Sequence, residues 1–589
     1  MRRTIKLFSS IWGHGNFRGN IWGGVVLFSA APLAAGNFYK YADDDLADIR
    51  SLSRYTHIHT TLNHHRLNAS NLLTMAIQYP YVWIFCGFAS LGAFLYGFDG
   101  VYFNGVSTLD VFIRHFGEKN AEGQYAISPS TLSVMTSMIN VGELVGSLGA
   151  APLNDYLGRK GVFLVGTAAV ILGVVLQLVT SSNRDLITAG RAILGFGVGN
   201  FSATSPLYMG EIAPESMRSP LLMCWQLTLS VSQIIAAGIN RGMVDIDTTF
   251  AYRFPIGFQL LFPALILSGI WFVPESPRWL IRRGRREAAE NSLRRLNRDD
   301  KTYDPAPAVA EMEVALNEEL EVQAQGGWMQ LITDPVERRK VIYSAGALVA
   351  QQINGIQWFY YFGTVFSKAI GLQDPFLMTL IVFIIQVFVV LAAVLLANRI
   401  PRRPLLMVTT GIMTVSIFVV GCLGIPGGEP SQVIGKVIIS FVIIEIVAFN
   451  FAWGPLGWTI ASEMAVGRNR NKIYAVAVAC FWVTVWVTVF TLPYLYYSAN
   501  LGPKTGFVYT GLCFVTWAYV YFCVGEVTGR TIEEIDGFFR DGIPAKKWKN
   551  QPRKHIAAST AHSEHKKILD VSSEDQGEKG TGEHRVSEQ

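Results

Sequence analysis

The stretch YPYVWIFCGFASLGAFLYGFDGVYFNGV, residues 79–106, contains a single charged side chain, Asp99. At a rise of about 1.5 Å per residue, a helix of this length is long enough to cross the roughly 30 Å hydrocarbon core of a bilayer. The segment therefore predicts a transmembrane helix. Its one carboxylate is costly inside a membrane, and such residues usually mark a functional site.

The rest of the chain has the same apolar character. Half of its 589 residues are hydrophobic, only 16% are charged, and the mean hydropathy is +0.31. These values predict a polytopic membrane protein and not a soluble multidomain protein. The apolar runs are continuous and not alternating, which excludes a transmembrane barrel. Twelve spans are predicted, near residues 79–106, 130–153, 161–181, 186–209, 220–242, 254–274, 341–369, 375–398, 403–424, 434–462, 472–498 and 505–525.

The loops between these spans differ in their content of Lys and Arg, which are retained on the cytoplasmic side. Loops after even-numbered spans are the richer ones, with Arg159 and Lys160 after span 2 and Arg468 and Arg470 after span 10. We therefore expect both termini to be cytoplasmic. The net charge of +5 follows from this bias and needs no nucleic-acid partner.

The residue types that usually carry covalent or metal chemistry are poorly placed. All six cysteines lie inside apolar segments, where a free thiol behaves as a small hydrophobic group, so no disulfide framework or metal site is predicted. None of the ten histidines lies in a predicted span, so carboxylates must carry any protons inside the membrane. With no catalytic triad or phosphate loop, the chain is expected to be neither an enzyme nor a cofactor-binding protein.

The chain also contains an internal repeat. Charged motifs that follow spans 2, 4 and 6 recur after spans 8, 10 and 12, at separations of 243, 252 and 251 residues. The matched residues are Asp155 with Asn398, Glu211 with Glu463, and Glu275 with Glu526. This register predicts two six-helix halves around a central cavity, an architecture in which substrate binds near the midplane while the halves rock.

Five regions follow from this division. They are a cytoplasmic extension at 1–78, the first half at 79–274, a cytoplasmic linker with short amphipathic helices at 275–340, the second half at 341–527 and a disordered tail at 528–589. The extension has basic residues followed by an apolar stretch, which resembles a leader. It is either a dispensable addition or a targeting or interfacial segment.

These motifs resemble the sugar porter family of the major facilitator superfamily, of the fungal type, over about residues 80–540. The resemblance rests on GFDG in span 1, Gly158-Arg159-Lys160, Pro274-Glu275-Ser276-Pro277-Arg278, Gln351-Gln352-x-x-Gly355 and Gly529-Arg530-Thr531-x-Glu533-Glu534. It implies an all-α membrane protein with twelve helices in the major facilitator fold. Four positions depart from the family pattern: Tyr156 replaces Arg, Asn398 replaces Asp, Pro401 replaces Gly, and Gly525 replaces Pro. These departures predict a weaker cytoplasmic lock in the same fold.

Asp99 and Arg191 are the predicted proton-coupling pair. Span 1 runs outward and span 4 runs inward, so both residues fall in the outer half of the membrane. The resemblance implies that Asp99 binds the proton and that Arg191 tunes it. Arg191 favours the ionised acid while burial opposes it, so a change that separates the two groups would load a proton. The alternative is a static ion pair between the two helices.

Two further carboxylates, Glu143 in span 2 and Glu445 in span 10, lie inside predicted spans. Neither has an obvious cation at the same depth within its own half. We expect each to be protonated and bonded to a backbone carbonyl or another helix, although either could be an auxiliary proton site.

The charges at the cytoplasmic ends recur in both halves, and solvation alone does not explain this recurrence. The resemblance implies that they form a cytoplasmic gate, closed in the outward-facing state. The predicted gate residues are Asp155, Arg159, Glu211, Arg218, Glu275, Arg278, Arg402, Glu463, Arg470 and Glu526.

A neutral sugar needs amide and hydroxyl partners together with aromatic faces. The predicted substrate-binding residues, which match the family's sugar-binding positions, are Gln226, Gln233, Gln351, Gln352, Gln357, Tyr361, Trp458, Phe481 and Trp482. Gln357 stands where hexose transporters of the family usually carry Asn, and Phe481 and Val485 stand where some carry amides. Glucose is therefore not the expected substrate by default. The other candidate substrates are a disaccharide or other glycoside, a pentose, and a cyclic polyol-like acid.

The predicted function is import of a neutral sugar with a proton across the plasma membrane, by a single chain. One alternative is facilitated sugar diffusion without proton coupling. The other is a sugar sensor that signals through its tails, although sensors of this family tend to carry longer tails.

Overall fold

A computed structural model describes residues 79–119, 123–180, 182–300, 302–369, 374–396, 400–425, 431–528 and 530–552. The predicted extension at 1–78 and the end of the tail, 553–589, lie outside the described residues. Most of the described chain is helical, which confirms the all-α prediction.

The first half contains the helices α1 to α8. They are α1 Pro80–Ala89, α2 Leu91–Val106, α3 Asp110–Phe116, α4 Pro129–Val179, α5 Arg184–Ile212, α6 Glu215–Met243, α7 Phe250–Phe258 and α8 Leu261–Gly269. A short antiparallel ladder between α3 and α4 joins β1 Glu118–Lys119 to β2 Tyr125–Ala126, with Glu118 opposite Ala126.

Four helices follow in the linker: α9 Pro277–Arg282, α10 Arg286–Leu296, α11 Ala306–Ala324 and α12 Gln330–Thr333. The second half contains α13 Pro335–Ile353, α14 Ile356–Ala369, α15 Pro375–Leu396, α16 Arg402–Leu423, α17 Gln432–Ala448, α18 Gly454–Met464, α19 Arg470–Pro493, α20 Thr505–Cys523 and α21 Ile532–Arg540. Single π-helical turns occur at Phe449–Trp453 and Tyr494–Ser498, and short 3₁₀ turns at Gly502–Lys504 and Ala545–Asn550.

Eight helical stretches in the described chain are long and apolar enough to cross a membrane. One of them, α4, has 51 residues, covers predicted spans 2 and 3, and consists of two helices joined at Gly158, whose φ of 79° suits glycine. Predicted spans 4, 5 and 7 correspond to α5, α6 and α13 with α14, which are long helices but less apolar. These less apolar helices carry most of the predicted substrate-binding residues, from Gln226 and Gln233 to Gln357 and Tyr361.

Buried apolar side chains form two large clusters, one for each half. Phe98 and Phe201 lie in the first cluster, and Trp358 and Trp453 lie in the second. Where the halves meet, a few residues of one half pack in the cluster of the other. Leu132 of α4, for example, packs in the second cluster. Each half therefore has its own hydrophobic core, so that a relative movement of the halves would leave most of each core intact.

Among the described residues, the most extensive helix contacts between the halves are those of α4 with α19, α6 with α15, and α2 with α14. The predicted repeat relates α4 to α15 and α6 to α19. Applied to the contact of α4 with α19, the repeat gives the contact of α15 with α6. Applied to the contact of α2 with α14, it gives the same contact again. This is expected for a pseudo-twofold axis between the halves.

The prediction that the tail is disordered from residue 528 is wrong for residues 530–552. Helix α21 and the 3₁₀ turn after it pack against the second half, and the Trp548 ring is fully buried. Arg530 Nη2 donates to the backbone oxygens of Trp548, at 2.9 Å, and Gln551, at 2.6 Å. The apolar face of α21, which includes Phe538 and Phe539, was the sequence signal for this packing.

Trp548 also explains the departure from the family pattern at Gly525. A Cβ atom at Gly525 would lie 2.1 Å from the Trp548 ring, so even alanine does not fit. We expect Gly525→Pro to displace the tail and to lower the free energy of unfolding by about 1–3 kcal/mol, the usual cost of overpacking. Limited proteolysis of the tail and a thermal melt would measure this.

The matched control for this prediction is Gly537→Ala on α21, where a Cβ meets no atom within 4 Å. Because the clash involves the Trp548 ring, Gly525→Pro should add little further proteolysis when Trp548 has already been replaced by alanine. Equal proteolysis of the Gly525→Pro variant and the parent protein would contradict this interpretation.

Candidate functional site

The predicted coupling residues lie deep in the first half. Asp99 on α2 is 1% exposed and Arg191 on α5 is fully buried. Arg191 Nη1 donates to the Tyr102 hydroxyl at 3.1 Å, and its guanidinium lies 3.8 Å from the centroid of the Phe103 ring. The Tyr102 hydroxyl in turn donates to Gln177 Oε1 at 3.0 Å. Sequence reasoning missed Tyr102 and Phe103 as partners of Arg191, and Gln177 as the partner of Tyr102.

Asp99 and Arg191 are close but not directly paired. The charge of Arg191 acts on Asp99, whereas no hydrogen bond or ion pair between them occurs in the described chain. Both carboxylate oxygens of Asp99, and Nε and Nη2 of Arg191, are buried without a described hydrogen-bond partner. The static ion pair, the alternative to proton coupling, is therefore not formed in this structure.

Glycines allow the helices of this region to approach closely. A Cβ at Gly97 of α2 would lie 2.3 Å from the Leu229 carbonyl oxygen of α6. On α5, a Cβ at Gly199 would lie 2.3 Å from the Glu143 carbonyl oxygen of α4. These backbone contacts hold α2 against α6 and α4 against α5, and so position Asp99, Glu143 and Arg191.

The two other carboxylates differ in their surroundings. Glu143 is 1% exposed, and the charges of both Asp99 and Arg191 act on it, although Arg191 lies about two turns along α5 from the glycine that contacts Glu143. Glu445, fully buried on α17, lies near Tyr360 and Cys513. Neither Glu143 Oε2 nor either oxygen of Glu445 has a hydrogen-bond partner among the described residues, so the expected bond to a carbonyl is not seen.

The predicted amides of α13 and α14 form a chain. Gln351 Nε2 donates to the carbonyl oxygens of Trp453, at 2.8 Å, and Gly454, at 3.1 Å, at the π-helical turn. Gln352 Nε2 donates to Gln351 Oε1 at 3.3 Å and Gln357 Nε2 donates to Gln352. Gln351 thus orients the other two amides, and Gln357 Oε1 is left buried without a partner in the described chain.

A residue that the sequence did not reveal, Gln386 on α15, joins the two halves. Its Nε2 donates to Gln233 Oε1 at 2.7 Å and lies 3.4 Å from the Ser230 hydroxyl, both on α6. Gln226 is half-buried on the same helix. The available signal was a lone amide within the otherwise apolar α15.

A continuous row of aromatic rings crosses the same interface. Trp458 contacts Phe481, with ring centroids 4.7 Å apart, and Phe481 contacts Trp482 at 4.9 Å. Trp482 contacts Tyr96 at 5.9 Å, and Tyr96 contacts Trp225 at 6.2 Å. Tyr96 and Trp225 were not predicted.

These rings also supply polar atoms. The indole Nε1 atoms of Trp225 and Trp482 are buried without hydrogen-bond partners in the part of the chain that the structure describes. The structure therefore brings amides and aromatic faces together between the halves, with Tyr361 buried near Asp99. This combination suits a polyhydroxyl ligand.

The charges at the predicted cytoplasmic end form the same arrangement in both halves. Arg159 donates to Glu211 at 2.7 and 2.5 Å, and the backbone N–H groups of Arg159 and Lys160 donate to Glu275 at 3.0 and 3.1 Å. Burial raises the pKa of the Glu275 carboxyl, and the backbone donors oppose that rise.

In the second half, Arg402 pairs with Glu463. The backbone N–H groups of Arg402 and Arg403 donate to Glu526 at 3.4 and 3.2 Å. These carboxylates and arginines stand at the positions that the predicted repeat relates to Arg159, Glu211 and Glu275.

The remaining gate residues are more scattered. Asp155 pairs with Arg282 at 2.7 Å, Arg278 pairs with Glu319 of the linker, and Arg470 is exposed. The side chain of Arg218 lies outside the described residues. The pairs seen here therefore join helix ends of one half, a half and the linker, or two linker helices, and do not join one half to the other.

Besides the Gln386–Gln233 contact, further polar contacts between the halves lie at the opposite, predicted outer end. Lys368 Nζ lies 3.0 Å from Asp110 Oδ1, and Arg241 Nη2 lies 3.0 Å from Asp374 Oδ2. Asn104 Nδ2 donates to the Tyr360 carbonyl oxygen at 3.2 Å. The two halves are thus held together at this end.

The Arg159–Glu211 pair is buried, with side chains 8% and 7% exposed, so its loss has a predictable cost. Arg159→Ala leaves Glu211 buried and unpaired, and is expected to lower the free energy of unfolding by about 3–5 kcal/mol. The matched control is Arg114→Ala, which breaks a pair whose side chains are 50% and 73% exposed, for about 1 kcal/mol or less. Thermal melts of the purified proteins would measure both, and equal melting temperatures would contradict the difference.

Three comparisons bear on this site. A family model described as "Sugar (and other) transporter" matches residues 85–539. The chain is 31% identical over 497 residues to the major facilitator-type transporter ecdD of Aspergillus rugulosus, which covers 79% of this chain and 89% of that protein. It is also 31% identical over 467 residues to the probable glucose transporter rco-3 of Neurospora crassa, with coverages of 77% and 78%.

Among solved structures, the xylose transporter XylE from E. coli, in a partially occluded inward open conformation, matches with a TM-score of 0.64 at 22% identity. The match covers 77% of this chain and 100% of that chain and shows the shared fold. The relatives are transporters and not enzymes. The family match over most of the chain, its apolar helices and its fold together place this multi-pass membrane protein in the sugar transporter family of the major facilitator superfamily.

Proposed function

We propose that this protein is a secondary transporter that moves a neutral sugar together with a proton by alternating access. The observation that carries the proposal is the buried Asp99, which has no hydrogen-bond partner among the described residues although Arg191 is bonded one turn away, at Tyr102. The neighbouring Gly100 lies close to the Tyr361 hydroxyl of the second half. An unpaired buried carboxylate gains most from taking up a proton. The proposed setting is the plasma membrane, with twelve spans, cytoplasmic termini and a single chain.

Several contacts support a sugar as the substrate. Gln233 and Gln386 hydrogen-bond each other across the halves, and Gln352 and Gln357 do so within the second half. Paired amides of this kind exchange their mutual hydrogen bonds for those of a polyhydroxyl ligand at little cost. The row from Trp225 to Trp458 offers apolar faces for sugar C–H groups and extends beyond the reach of one sugar ring. A disaccharide or other glycoside therefore fits as well as a monosaccharide.

Alternating access is supported by the positions of the charges. The halves contact each other through Lys368 with Asp110 and Arg241 with Asp374 at one end, whereas the ion pairs at the other end stay within a half. We infer that this structure is closed on the outside. Rocking of the halves would break the contacts of Lys368 with Asp110 and of Arg241 with Asp374. In the outward-facing state, the gate charges of the two halves would then meet at the other end.

The test is a competition panel in a yeast strain that lacks its own sugar transporters. Cells expressing the protein would be given unlabelled glucose, xylose, maltose, cellobiose and a cyclic polyol acid, and proton uptake would be followed in the medium. We expect at least one neutral sugar to drive proton uptake. Sugar entry without proton movement would favour the facilitated uniporter. Normal sugar uptake in a deletion strain that loses transcriptional induction would favour the sensor.

A further inference from the structure

The first half contains a second buried carboxylate that the proposed mechanism does not use. Glu143 of α4 and Asp99 of α2 are each 1% exposed, and Arg191 of α5 is fully buried. Tyr102, one turn after Asp99 on α2, accepts a hydrogen bond from Arg191 of α5, and Glu143 contacts Gly199, about two turns further along the same helix. In this arrangement the charges of Asp99 and Arg191 act on Glu143, and the charge of Arg191 acts on Asp99. These three groups therefore form one electrostatic cluster, which we call the acid pair cluster.

The backbone holds this cluster together. Gly199 packs directly against the backbone of Glu143, and a Cβ at Gly195, one turn earlier on α5, would lie 2.2 Å from the Ile139 carbonyl oxygen of α4. Helix α4 thus cannot move away from α5 without opening this seam. Glu143 therefore stays with the helix that carries Arg191.

Few other titratable groups surround Glu143. Those that face it besides Asp99 and Arg191 are Tyr96 of α2 and Tyr361 of α14. The other helices packed against α4 contribute no titratable group that acts on Glu143 within the described chain. With both acids ionised, the cluster carries two negative charges against one positive charge, and the excess charge has no hydrogen-bond partner at Asp99 or at Glu143 Oε2 among the described residues.

We propose that Asp99 and Glu143 form one proton site, in which a single shared proton, together with Arg191, neutralises two buried carboxylates. Two like charges at one site oppose full ionisation, so the pair and not either acid alone takes up the proton. The inference rests on the proposed function, because this proton is the one that would move with the sugar. Tyr361 connects the site to the second half, since its hydroxyl would lie 3.9 Å from a Cβ at Gly100 of α2.

This charge balance makes an unusual prediction for Glu143→Gln. Removal of one acid leaves Asp99 and Arg191, which are already neutral as a pair, so the transporter no longer needs a proton to complete its cycle. We expect sugar exchange at the wild-type rate, loss of uphill accumulation, and sugar uptake that no longer depends on pH. Glu143→Asp keeps a carboxyl and is expected to keep the coupling.

The experiment uses the full-length protein in liposomes that contain a pH-sensitive dye. The probe is a mixture of D-glucose, D-xylose and cellobiose, each with a trace label, and proton entry, accumulation and exchange are read together. The matched control is Glu445→Gln, an equally buried acid of the second half that lies near Tyr360 and Cys513, not near Asp99. It is expected to behave as the wild type.

Each outcome decides the proposal. Coupled transport by Glu143→Gln, or loss of its exchange together with accumulation, would overturn the shared site while leaving sugar–proton symport intact. Loss of coupling in Glu445→Gln as well would show that the effect is not specific to the acid pair cluster, and would also overturn it. A wild-type protein that moves sugar without protons would instead overturn the proposed symport, and the shared site with it.

Discussion

Asp99→Asn is expected to abolish uphill sugar accumulation while exchange of sugar across the membrane continues. The amide keeps the shape of the buried side chain but cannot take up the proton, so the sugar is no longer driven by the proton gradient. A potential of about 100 mV acting on one charge is equivalent to about 2.3 kcal/mol, or roughly 50-fold accumulation. In vesicles with an imposed potential, the accumulation ratio should therefore fall from about this value to about one.

The control for this variant is Asp247→Asn, which removes an exposed acid of the first half that pairs with Arg114. It should accumulate sugar as the wild type does. Exchange in the Asp99→Asn protein shows that the variant is folded. Undiminished accumulation by Asp99→Asn would refute the proposed coupling and favour another proton carrier.

The second large effect is expected at Gly199, where α5 contacts the backbone of α4. Gly199→Ala places a Cβ within 2.3 Å of the Glu143 carbonyl oxygen, and neither backbone can rotate out of the way as a side chain would. The helices must separate, and the cost is expected to reach or exceed the usual overpacking range of about 1–3 kcal/mol. We expect a lower melting temperature and less monodisperse protein on size-exclusion chromatography.

Gly210→Ala is the matched control, since it lies on the same helix and a Cβ there meets no atom within 4 Å. It should be neutral or slightly stabilising, because alanine is favoured over glycine in helices by about 1 kcal/mol. Melting temperatures that are the same for the two alanine variants would show that the α4–α5 seam is less closely packed than the structure indicates.

Part of the candidate site could be predicted because its signals are local. Asp99, Gln351 and Gln352 stand out as polar residues within apolar segments, and the repeat of Glu275 at Glu526 is visible in the sequence. Gln386 is likewise an amide within an apolar segment, and Trp225 directly precedes the predicted Gln226, but neither residue was predicted. Nothing in their own segments shows that Gln386 meets Gln233, or that Trp225 meets Tyr96.

In the tail, the sequence analysis predicted disorder for residues that are ordered. Its overall polar composition predicted disorder, yet Trp548 is fully buried and Ile532–Arg540 forms a helix. Composition averages over many residues, whereas a few apolar side chains on one face are enough to dock a short helix on an existing surface.

The amino-acid sequence by itself determined that this protein is built from apolar helices in a membrane and that its charged motifs repeat. Both properties depend on the length and spacing of residues along the chain. Only the tertiary structure decided the partners: Arg191 bonds to Tyr102 and not to Asp99, and Arg159 pairs within its own half. These pairings depend on how each helix is rotated and packed against its neighbours. Close glycine contacts between helices set that packing, and the sequence of a single segment does not encode it.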